Sequence, residues 1–268
     1  MTHWDNVAAG WAAWLEWTER NFQPVTEWLI AAGACAPGAR VLDVACGAGY
    51  PALAMASHVR PGGTVIASDL SGEMVAATAA AAAAAALTNV EVRTLDAERL
   101  DLENASVDAV TNAYGLMFCD AARAIREALR VLKPGGRLAL VTWDEPIKSS
   151  FFHVIAPAGA THLSITPAAP GAPGPFRYSS PHELTALLQD AGFADVRVES
   201  VSTPMTFESA DAYCRCFADL AWKARVGALS NTQLDAFRDD VRRRVEPYMN
   251  GAHVRLEATS LCACGRKA

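Results

Sequence analysis

The chain is organised around the stretch Val41-Leu42-Asp43-Val44-Ala45-Cys46-Gly47-Ala48-Gly49. Residues 41–44 predict a short buried strand, and residues 51–59 predict a helix. The glycines between them allow the backbone to turn tightly and to approach a ligand without a Cβ in the way. The helix that follows presents its first N–H groups to a negatively charged ligand group. The stretch therefore predicts a nucleotide-binding loop in an α/β fold.

The predicted strand contains a carboxylate, Asp43, four residues before the first glycine. Dinucleotide-binding folds normally place an apolar residue there. A carboxylate at this position can order the backbone amides of the loop and face an ammonium group. The spacing Gly47-x-Gly49-x-x-Ala52 also fits a dinucleotide fingerprint, and a glycine turn of another α/β fold fits it too. The loop taken alone leaves these interpretations open.

The whole stretch resembles motif I of class I S-adenosylmethionine (SAM) methyltransferases, usually written E/D-x-G/A-x-G-x-G, with Ala45 at the first glycine position. The turn Leu132-Lys133-Pro134-Gly135-Gly136 resembles a later motif of the same family. The resemblance covers residues 37–143 well, and it is to the ubiquinone/menaquinone-biosynthesis-type (methyltransferase type 11) small-molecule enzymes. It implies a Rossmann-like α/β fold, with a doubly wound, seven-stranded, mostly parallel sheet whose last strand is antiparallel.

The order of the predicted elements fits a single SAM-dependent methyltransferase domain over residues 1–268. The segment after the fifth predicted strand is rich in Pro, Gly and Ala, and such a long irregular segment is typical of a lid over a site. The predicted parts are an N-terminal helical cover (1–36), a SAM-binding core (37–145), a lid-like insertion (146–181) and the C-terminal half of the sheet (182–268) with a helical insertion (207–250).

Acidic residues end the next two predicted strands. Asp69 closes the second strand, twenty residues after Gly49, where a carboxylate can accept hydrogen bonds from both ribose hydroxyls. The resemblance implies that SAM is the cofactor and S-adenosylhomocysteine (SAH) the product, that Leu70 packs on the adenine, and that Asp96 accepts a hydrogen bond from the adenine amino group. The predicted cofactor-binding residues are Asp43, Ala45, Gly47, Gly49, Asp69, Leu70, Asp96, Ala97, Asn112 and Trp11.

The N-terminal segment is rich in tryptophan. One or two helices are predicted within residues 4–32, with Pro24 starting the second, and a single helix would place Trp4, Trp11 and Trp14 on one face. The pattern Trp4-Asp5-x-x-Ala8-x-x-Trp11 resembles the Y-D-x-x-A-x-x-Y segment of many small-molecule methyltransferases. Tryptophan at both aromatic positions removes the hydroxyl that would contact the carboxylate of the cofactor. A helix packed on the core and an aromatic cover over cofactor and acceptor both fit the pattern.

The resemblance implies methyl transfer from SAM to an O, N or C nucleophile of a small, apolar acceptor. Open parallel sheets bind ligands beyond the carboxyl ends of their strands, so residues there are the candidates for acceptor contact. Tyr114 is the candidate catalytic base, although the chemistry needs alignment and exclusion of water more than a dedicated base. The predicted substrate-binding residues are Trp4, Trp11, Tyr114, Met117, Trp143, Phe152 and Phe176.

Three other functions stay open at this point. The chain could bind SAM and catalyse a rearrangement or serve in regulation. It could methylate a soft acceptor such as arsenite, with Cys214-x-Cys216 and Cys262-x-Cys264 as thiols. It could also be a nicotinamide oxidoreductase, against which Asp43 and the turn before the fifth strand argue. No histidine pair has metal-site spacing, so no metal is predicted.

Composition narrows the classes of partner and the cellular compartment that we expect for this protein. The net charge of −6 argues against a nucleic-acid partner, which would need a basic surface. No apolar run is long enough to cross a bilayer, and the N-terminus lacks the features of a signal peptide, so no membrane partner is expected. Seven scattered cysteines do not form a disulfide framework. We therefore expect a cytoplasmic protein with a small-molecule acceptor, as a monomer or homodimer.

Overall fold

The computed structural model describes residues 3–169 and 171–268. A single mixed sheet forms its centre. Each strand predicted from the sequence is present in the sheet, and a two-residue strand that pairs with the last one is added. The strands are β1 (Arg40–Val44), β2 (Thr64–Asp69), β3 (Val90–Thr94), β4 (Val107–Ala113), β5 (Leu132–Trp143), β6 (Ala194–Phe207), β7 (Met249–Asn250) and β8 (His253–Arg266).

The strand order is β3-β2-β1-β4-β5-β8-β6. The strands β1 to β5 pair in parallel, and β8 runs antiparallel between β5 and β6. The winding direction reverses between β1 and β4, so the carboxyl ends of these two strands border the crevice in which open α/β sheets bind ligands. The predicted doubly wound, mostly parallel sheet with an antiparallel last strand is confirmed.

Helices cover both faces of the sheet. Leu29 and Met55 belong to the apolar layer on one face, and Ile125 and Leu188 belong to the layer on the other. In the described ranges, no helix combines the length and the apolar character of a membrane span. The helices are α1 (Ala8–Ala13), α2 (Leu15–Asn21), α3 (Gln23–Ala32), α4 (Ala52–His58), α5 (Gly72–Ala84), α6 (Ala121–Val131), α7 (Ser150–His153), α8 (Ala156–Leu163), α9 (Pro181–Asp190), α10 (Ala210–Leu220), α11 (Lys223–Gly227) and α12 (Asn231–Val245).

The N-terminal segment departs from the prediction of one or two helices. A 3-10 helix at Trp4–Asn6 precedes three α-helices, because the chain breaks at Trp14 and at Phe22. Pro24 does lie in the first turn of α3. The side chains before and after the break at Trp14 pack against different parts of the molecule.

The prediction of one common tryptophan face was wrong for Trp14. Trp4 and Trp11 both pack against a small apolar cluster that includes Met74 of α5. The indole Nε1 of Trp14 instead donates to Asp219 Oδ2 at 2.9 Å, and its ring contacts Trp17 edge to face. The tryptophans of the N-terminal segment therefore serve two separate regions of the molecule.

The insertion after β5 begins with a 3-10 helix, Pro146–Lys148, and continues as α7 and α8. Its later part packs against the loop after β4. The backbone N–H of Gly174 donates to the Met117 carbonyl at 3.2 Å, and Arg177 donates to the Cys119 carbonyl at 2.8 Å. Pro170, within the predicted lid-like insertion, lies outside the described residues. These contacts hold the insertion beside the carboxyl ends of the strands.

Candidate functional site

The loop after β1 adopts a backbone that favours glycine. Ala45, Gly47 and Gly49 have φ angles of 59°, 56° and 120°, all in the left-handed range. A Cβ built on Gly47 would meet no other atom within 4 Å, so the outer side of the loop is open. A Cβ on Gly49 would lie 2.9 Å from the Leu53 side chain. Gly49 therefore closes the loop onto α4, and Gly47 leaves its surface accessible to a ligand.

Asp69 holds this loop in place. Its Oδ2 accepts the Gly47 N–H at 3.0 Å, and its Oδ1 accepts the Ser71 N–H at 2.9 Å. Burial raises the pKa of Asp69, although these backbone donors lower it, and the nearby Asp5 carboxylate raises it further. The carboxylate thus lies at the end of β2 in contact with the glycine loop, where the sequence predicted the ribose site.

The structure places Asp43 differently from the prediction. Its side chain is fully buried, and Oδ1 accepts the Thr111 hydroxyl at 2.6 Å because β1 pairs with β4 at this register. Oδ2 has no hydrogen-bond partner among the described residues. Burial raises the pKa of Asp43 to about 8. Asp43 does not order the amides of the loop, so that expectation was wrong, and Asp69 does this instead.

The loops after β1 and β4 touch at the crevice. Asn112 Nδ2 donates to the Val44 carbonyl at 2.9 Å, while its Oδ1 accepts the backbone N–H groups of Gly115 and Leu116. A Cβ on Gly115 would lie 2.4 Å from the Cβ of Ala45. The amide of Asn112, a predicted cofactor ligand, is therefore engaged in joining these loops, and Gly115 permits their close contact.

An aromatic cluster lies where β4 and β5 end, and it consists of Phe22, Tyr114, Trp143, Phe152 and Phe176. The rings of Tyr114 and Trp143 stack with centroids 4.1 Å apart. Phe152 contacts Trp143 at 4.8 Å and Phe176 at 5.0 Å, both edge to face. Phe22 contacts Tyr114 and Trp143. The structure thus brings four predicted acceptor residues together and adds Phe22, which no local pattern marks.

The hydroxyl of Tyr114 has a defined partner. It lies 2.8 Å from the hydroxyl oxygen of Ser260, a buried residue of β8 that the sequence did not single out. Burial raises the pKa of Tyr114 well above its usual value. The phenol therefore keeps its proton at ordinary pH, which argues against the predicted role as a catalytic base and favours a hydrogen-bonding role.

The tryptophans of the N-terminal cover lie against α5 and the loop after β4. Trp4 contacts Phe118 edge to face at 4.9 Å, a residue that the sequence reasoning missed although it follows Met117. The Ser71 hydroxyl donates to Asp5 Oδ1 at 2.5 Å, which ties the cover to the end of β2. The indole Nε1 of Trp11 is buried and has no hydrogen-bond partner among residues 3–169 and 171–268. The cover therefore contributes a buried donor for which the described part of the chain supplies no acceptor.

The remaining predicted residues differ in accessibility. The Leu70 side chain is 53% exposed beside Asp69, and Asp96 is exposed while its Oδ1 accepts the Glu98 N–H at 2.9 Å. Ala97 is half-buried. Met117 is fully buried, so the structure argues against its predicted contact with the acceptor.

The cysteines do not form an obvious soft-acceptor site. Cys262 and Cys264 lie on one face of β8, as their spacing predicted, but both are buried. Burial raises the pKa of Cys214 to about 11, and it also raises the pKa of Cys216. Among the described residues, no group of three His, Cys, Asp or Glu side chains could hold a metal ion. Neutral, buried thiols are poor ligands for arsenite-like acceptors.

The residues present fit the SAM that the sequence resemblance implies. The open face at Gly47 leaves room for a ligand against the backbone, and Asp69 lies beside it as a carboxylate for a ribose diol. Exposed Leu70 offers an apolar surface for a base. The carboxylates of Asp5 and Asp69 lie near each other and favour a positively charged ligand group, as a sulfonium is.

Comparison with known proteins gives the family. The protein-family model described as "Methyltransferase domain" matches residues 41–136 of this chain. Nocamycin O-methyltransferase of Saccharothrix syringae is 33% identical over 202 residues, which cover 71% of this chain and 72% of that protein. An uncharacterized protein of Mycobacterium tuberculosis is 36% identical over 126 residues; the match covers 47% of this chain and spans 44% of the relative.

Solved structures share the fold. A putative methyltransferase from Bacillus halodurans superimposes with a TM-score of 0.60 at 22% identity, covering 90% of this chain and 98% of that one. The [4+2]-cyclase SpnF gives a TM-score of 0.57 at 25% identity, covering 91% of this chain and 80% of that one. The identity to nocamycin O-methyltransferase along most of its length, together with the glycine loop and sheet order, shows that the chain belongs to the class I SAM-dependent methyltransferase family.

Proposed function

We propose that the protein transfers the methyl group of SAM to an O, N or C nucleophile of a small, apolar acceptor. The observation that carries this proposal is the position of the aromatic cluster. Tyr114 and Trp143 follow β4 and end β5, and Gly115, next to Tyr114, touches Ala45 in the glycine loop. A methyl donor against the loop and an apolar acceptor against the cluster would therefore lie side by side.

The cofactor, when bound, supplies a methyl group that its positively charged sulfur makes electrophilic. We assign Asp69 to the ribose hydroxyls, Leu70 to the face of the adenine and Asp96 to the adenine amino group. The open backbone at Gly47 would lie against the ligand. The buried Nε1–H of Trp11, which lacks an acceptor within the described chain, is a donor for the cofactor's carboxylate in place of the missing tyrosine hydroxyl.

On the acceptor side, the protein aligns the reacting atoms and excludes water from them. The aromatic cluster supplies apolar rings that exclude water and restrict the orientation of a flat, apolar molecule. The Tyr114 hydroxyl, held by Ser260, orients a polar group of the acceptor by hydrogen bonding. The elevated pKa of Tyr114 leaves no phenolate to act as a base, so proton loss from the acceptor goes to water or follows methyl transfer.

We also propose the class of partner and the cellular compartment. A chain with a net charge of −6 suits a small-molecule acceptor better than a nucleic acid. All seven cysteines are free, which suits the reducing cytoplasm, where we propose that the protein works as a monomer or homodimer.

A rearrangement without methyl transfer is the second candidate. The specific observation in its favour is the structural likeness to the [4+2]-cyclase SpnF, whose chain is 25% identical. Both candidates need the cofactor loop and an apolar acceptor pocket. They differ in whether SAM is consumed.

The experiment is an incubation with SAM and a panel of small aromatic and alicyclic compounds that carry hydroxyl or amino groups, read by mass spectrometry. Methyl transfer predicts SAH and a product heavier by one methylene in equal amounts. The matched control is the same compound without its hydroxyl or amino group, which should give no SAH. Conversion of an acceptor without SAH would contradict the proposal and support a rearrangement.

A further inference from the structure

A second cleft lies at the other end of the sheet from the aromatic cluster, beside the end of α3. Its volume is about 500 Å³. Arg137 in its wall lies six residues before Trp143 on β5, so the cleft is roughly 20 Å from the cofactor crevice. Arg137, Asp195, Arg197 and Arg266 lie in its wall, together with Ala32 and Cys264.

The strand register places three arginines on one face of the sheet. Arg137 of β5 lies directly opposite Arg266 of β8. Arg197 of β6 lies opposite Cys264, two residues before Arg266. Directly opposed residues share a face, and so do residues two apart along a strand, so the three side chains project to the same side. Neighbouring strands are about 4.8 Å apart, close enough for these guanidinium groups to surround one ligand.

The described lining of this cleft carries three arginines and one acid, so positive charge is in excess there. Arg266 pairs with Asp195 at 2.7 Å. Arg137 and Arg197 form no ion pair or hydrogen bond through their side chains within the described ranges. Glu199, the next acid along β6, accepts the indole N–H of Trp28 at 2.6 Å. Like charges at this spacing repel, and an anion between them would lower the free energy of the cleft.

We propose that this cleft binds the phosphoryl group of a phosphorylated small molecule, with Arg137 and Arg197 as its direct ligands. The planar guanidinium group offers paired N–H donors that match two oxygens of a phosphate. The volume lies in the range of small-molecule sites. The net charge of −6 would repel a long polyanion, so the ligand is small. This site is independent of methyl transfer.

Calorimetric titration with pyrophosphate tests the site. SAH is kept in saturating excess so that the glycine loop is blocked, and sodium chloride holds the ionic strength constant. We expect one saturable site in the native chain and a dissociation constant raised about tenfold or more in the R137Q/R197Q variant. The matched control R93Q/R238Q removes two arginines that pair with acids elsewhere and should bind as the native chain does.

A second variant tests the site through a gain of affinity, which misfolding of the variant could not produce. Asp195→Ala frees Arg266 from its ion pair, so it should lower the dissociation constant for pyrophosphate. Equal binding by the native chain and R137Q/R197Q would overturn the proposal, as would the absence of saturable heat. Titrations with citrate and with adenosine monophosphate under the same conditions identify the chemistry of the ligand. Binding of citrate but not of pyrophosphate or adenosine monophosphate would assign the cleft to carboxylates and overturn the phosphoryl assignment. A parallel titration without SAH locates the anion. Saturable binding of pyrophosphate that is present without SAH and absent at saturating SAH would place the anion in the cofactor crevice and overturn the proposal.

Discussion

Asp43 and Asp69 occupy neighbouring strands but differ in their surroundings. Asp43 lies in β1 with its side chain fully buried and a single donor, Thr111, in contact. Asp69 closes β2, where backbone N–H groups of the glycine loop and of Ser71 reach its oxygens. A carboxyl group without enough donors is more stable in its neutral form, so burial affects Asp43 more strongly.

The pH dependence of stability follows from this difference. The pKa of Asp43 rises to about 8 in the folded protein, whereas it is about 3.9 in an unfolded chain. At a pH between these two pKa values, the folded state keeps a proton that the unfolded state has lost. The contribution of Asp43 to stability is therefore complete below the unfolded pKa and is lost as the pH rises to about 8.

Asp43→Asn cannot ionise and keeps an acceptor oxygen for Thr111. We expect its melting temperature to fall less than that of the native chain between about pH 5 and pH 8. Scanning fluorimetry across this range measures the slope, with Asp101→Asn, an exposed acid, as the matched control. Identical slopes for the native chain and Asp43→Asn would show that Asp43 is ionised throughout.

Among single residues, spacing along the sequence identified the acidic residues of the site but not the contacts that join distant parts of the chain. Asp69 and Leu70 could be placed because the end of the strand after a glycine loop is a fixed geometric position. Phe22 and Ser260 could not, because their contacts with Tyr114 join parts of the chain that are distant in sequence. No local periodicity records such contacts.

Among the elements, the N-terminal cover is fastened to α10. A Cβ on Gly10 of α1 would lie 2.5 Å from the Asp219 carbonyl oxygen, so the two helices approach closely there. Trp14 donates to the Asp219 carboxylate, and Lys223 Nζ donates to the Asn6 carbonyl at 3.0 Å. These contacts hold the cover over the end of the sheet where Asp5 meets Ser71.

Gly10→Ala should force α1 away from α10, because the backbone of Asp219 cannot yield as a side chain can. We expect faster amide hydrogen exchange in α1 and α2 and weaker binding of SAH, with the exchange of the central strands unchanged. Hydrogen exchange read by mass spectrometry measures this, with Ala9→Ser at the exposed neighbouring position as control. Unchanged exchange in α1 would show that the close approach does not hold the cover.

The strands were easier to predict than the N-terminal helices. Buried strands appear as short apolar runs between turn residues, and those runs gave β1 to β4 within a residue or two. The breaks at Trp14 and Phe22 could not be read locally, because the Trp14 indole bonds to Asp219, far along the sequence. The β5 strand starts earlier than predicted because Leu132 pairs with Val107 ahead of the glycine turn.

For the whole molecule, the two ends of the sheet carry different chemistry. The carboxyl ends of β1, β2 and β4 meet the glycine loop, the N-terminal cover and the aromatic cluster. The opposite end carries the arginine cleft. The sequence predicted the first end through its motifs. The second depends on the register of β5, β6 and β8, which sequence patterns do not specify.

Calorimetric titration of SAH into the native chain, Asp69→Ala and Asp101→Ala tests the assignment of the cofactor site. Asp101 has an exposed side chain that pairs with Arg93, so its removal controls for the loss of one negative charge. We predict binding at one site per chain by the native protein and by Asp101→Ala, and binding weaker by about 1.5–3 kcal/mol in Asp69→Ala, as for a lost hydrogen bond to a charged group. Circular dichroism and melting temperature confirm that each variant is folded. Equal affinity of SAH for a folded Asp69→Ala and for the native chain would contradict the assignment of the cofactor site.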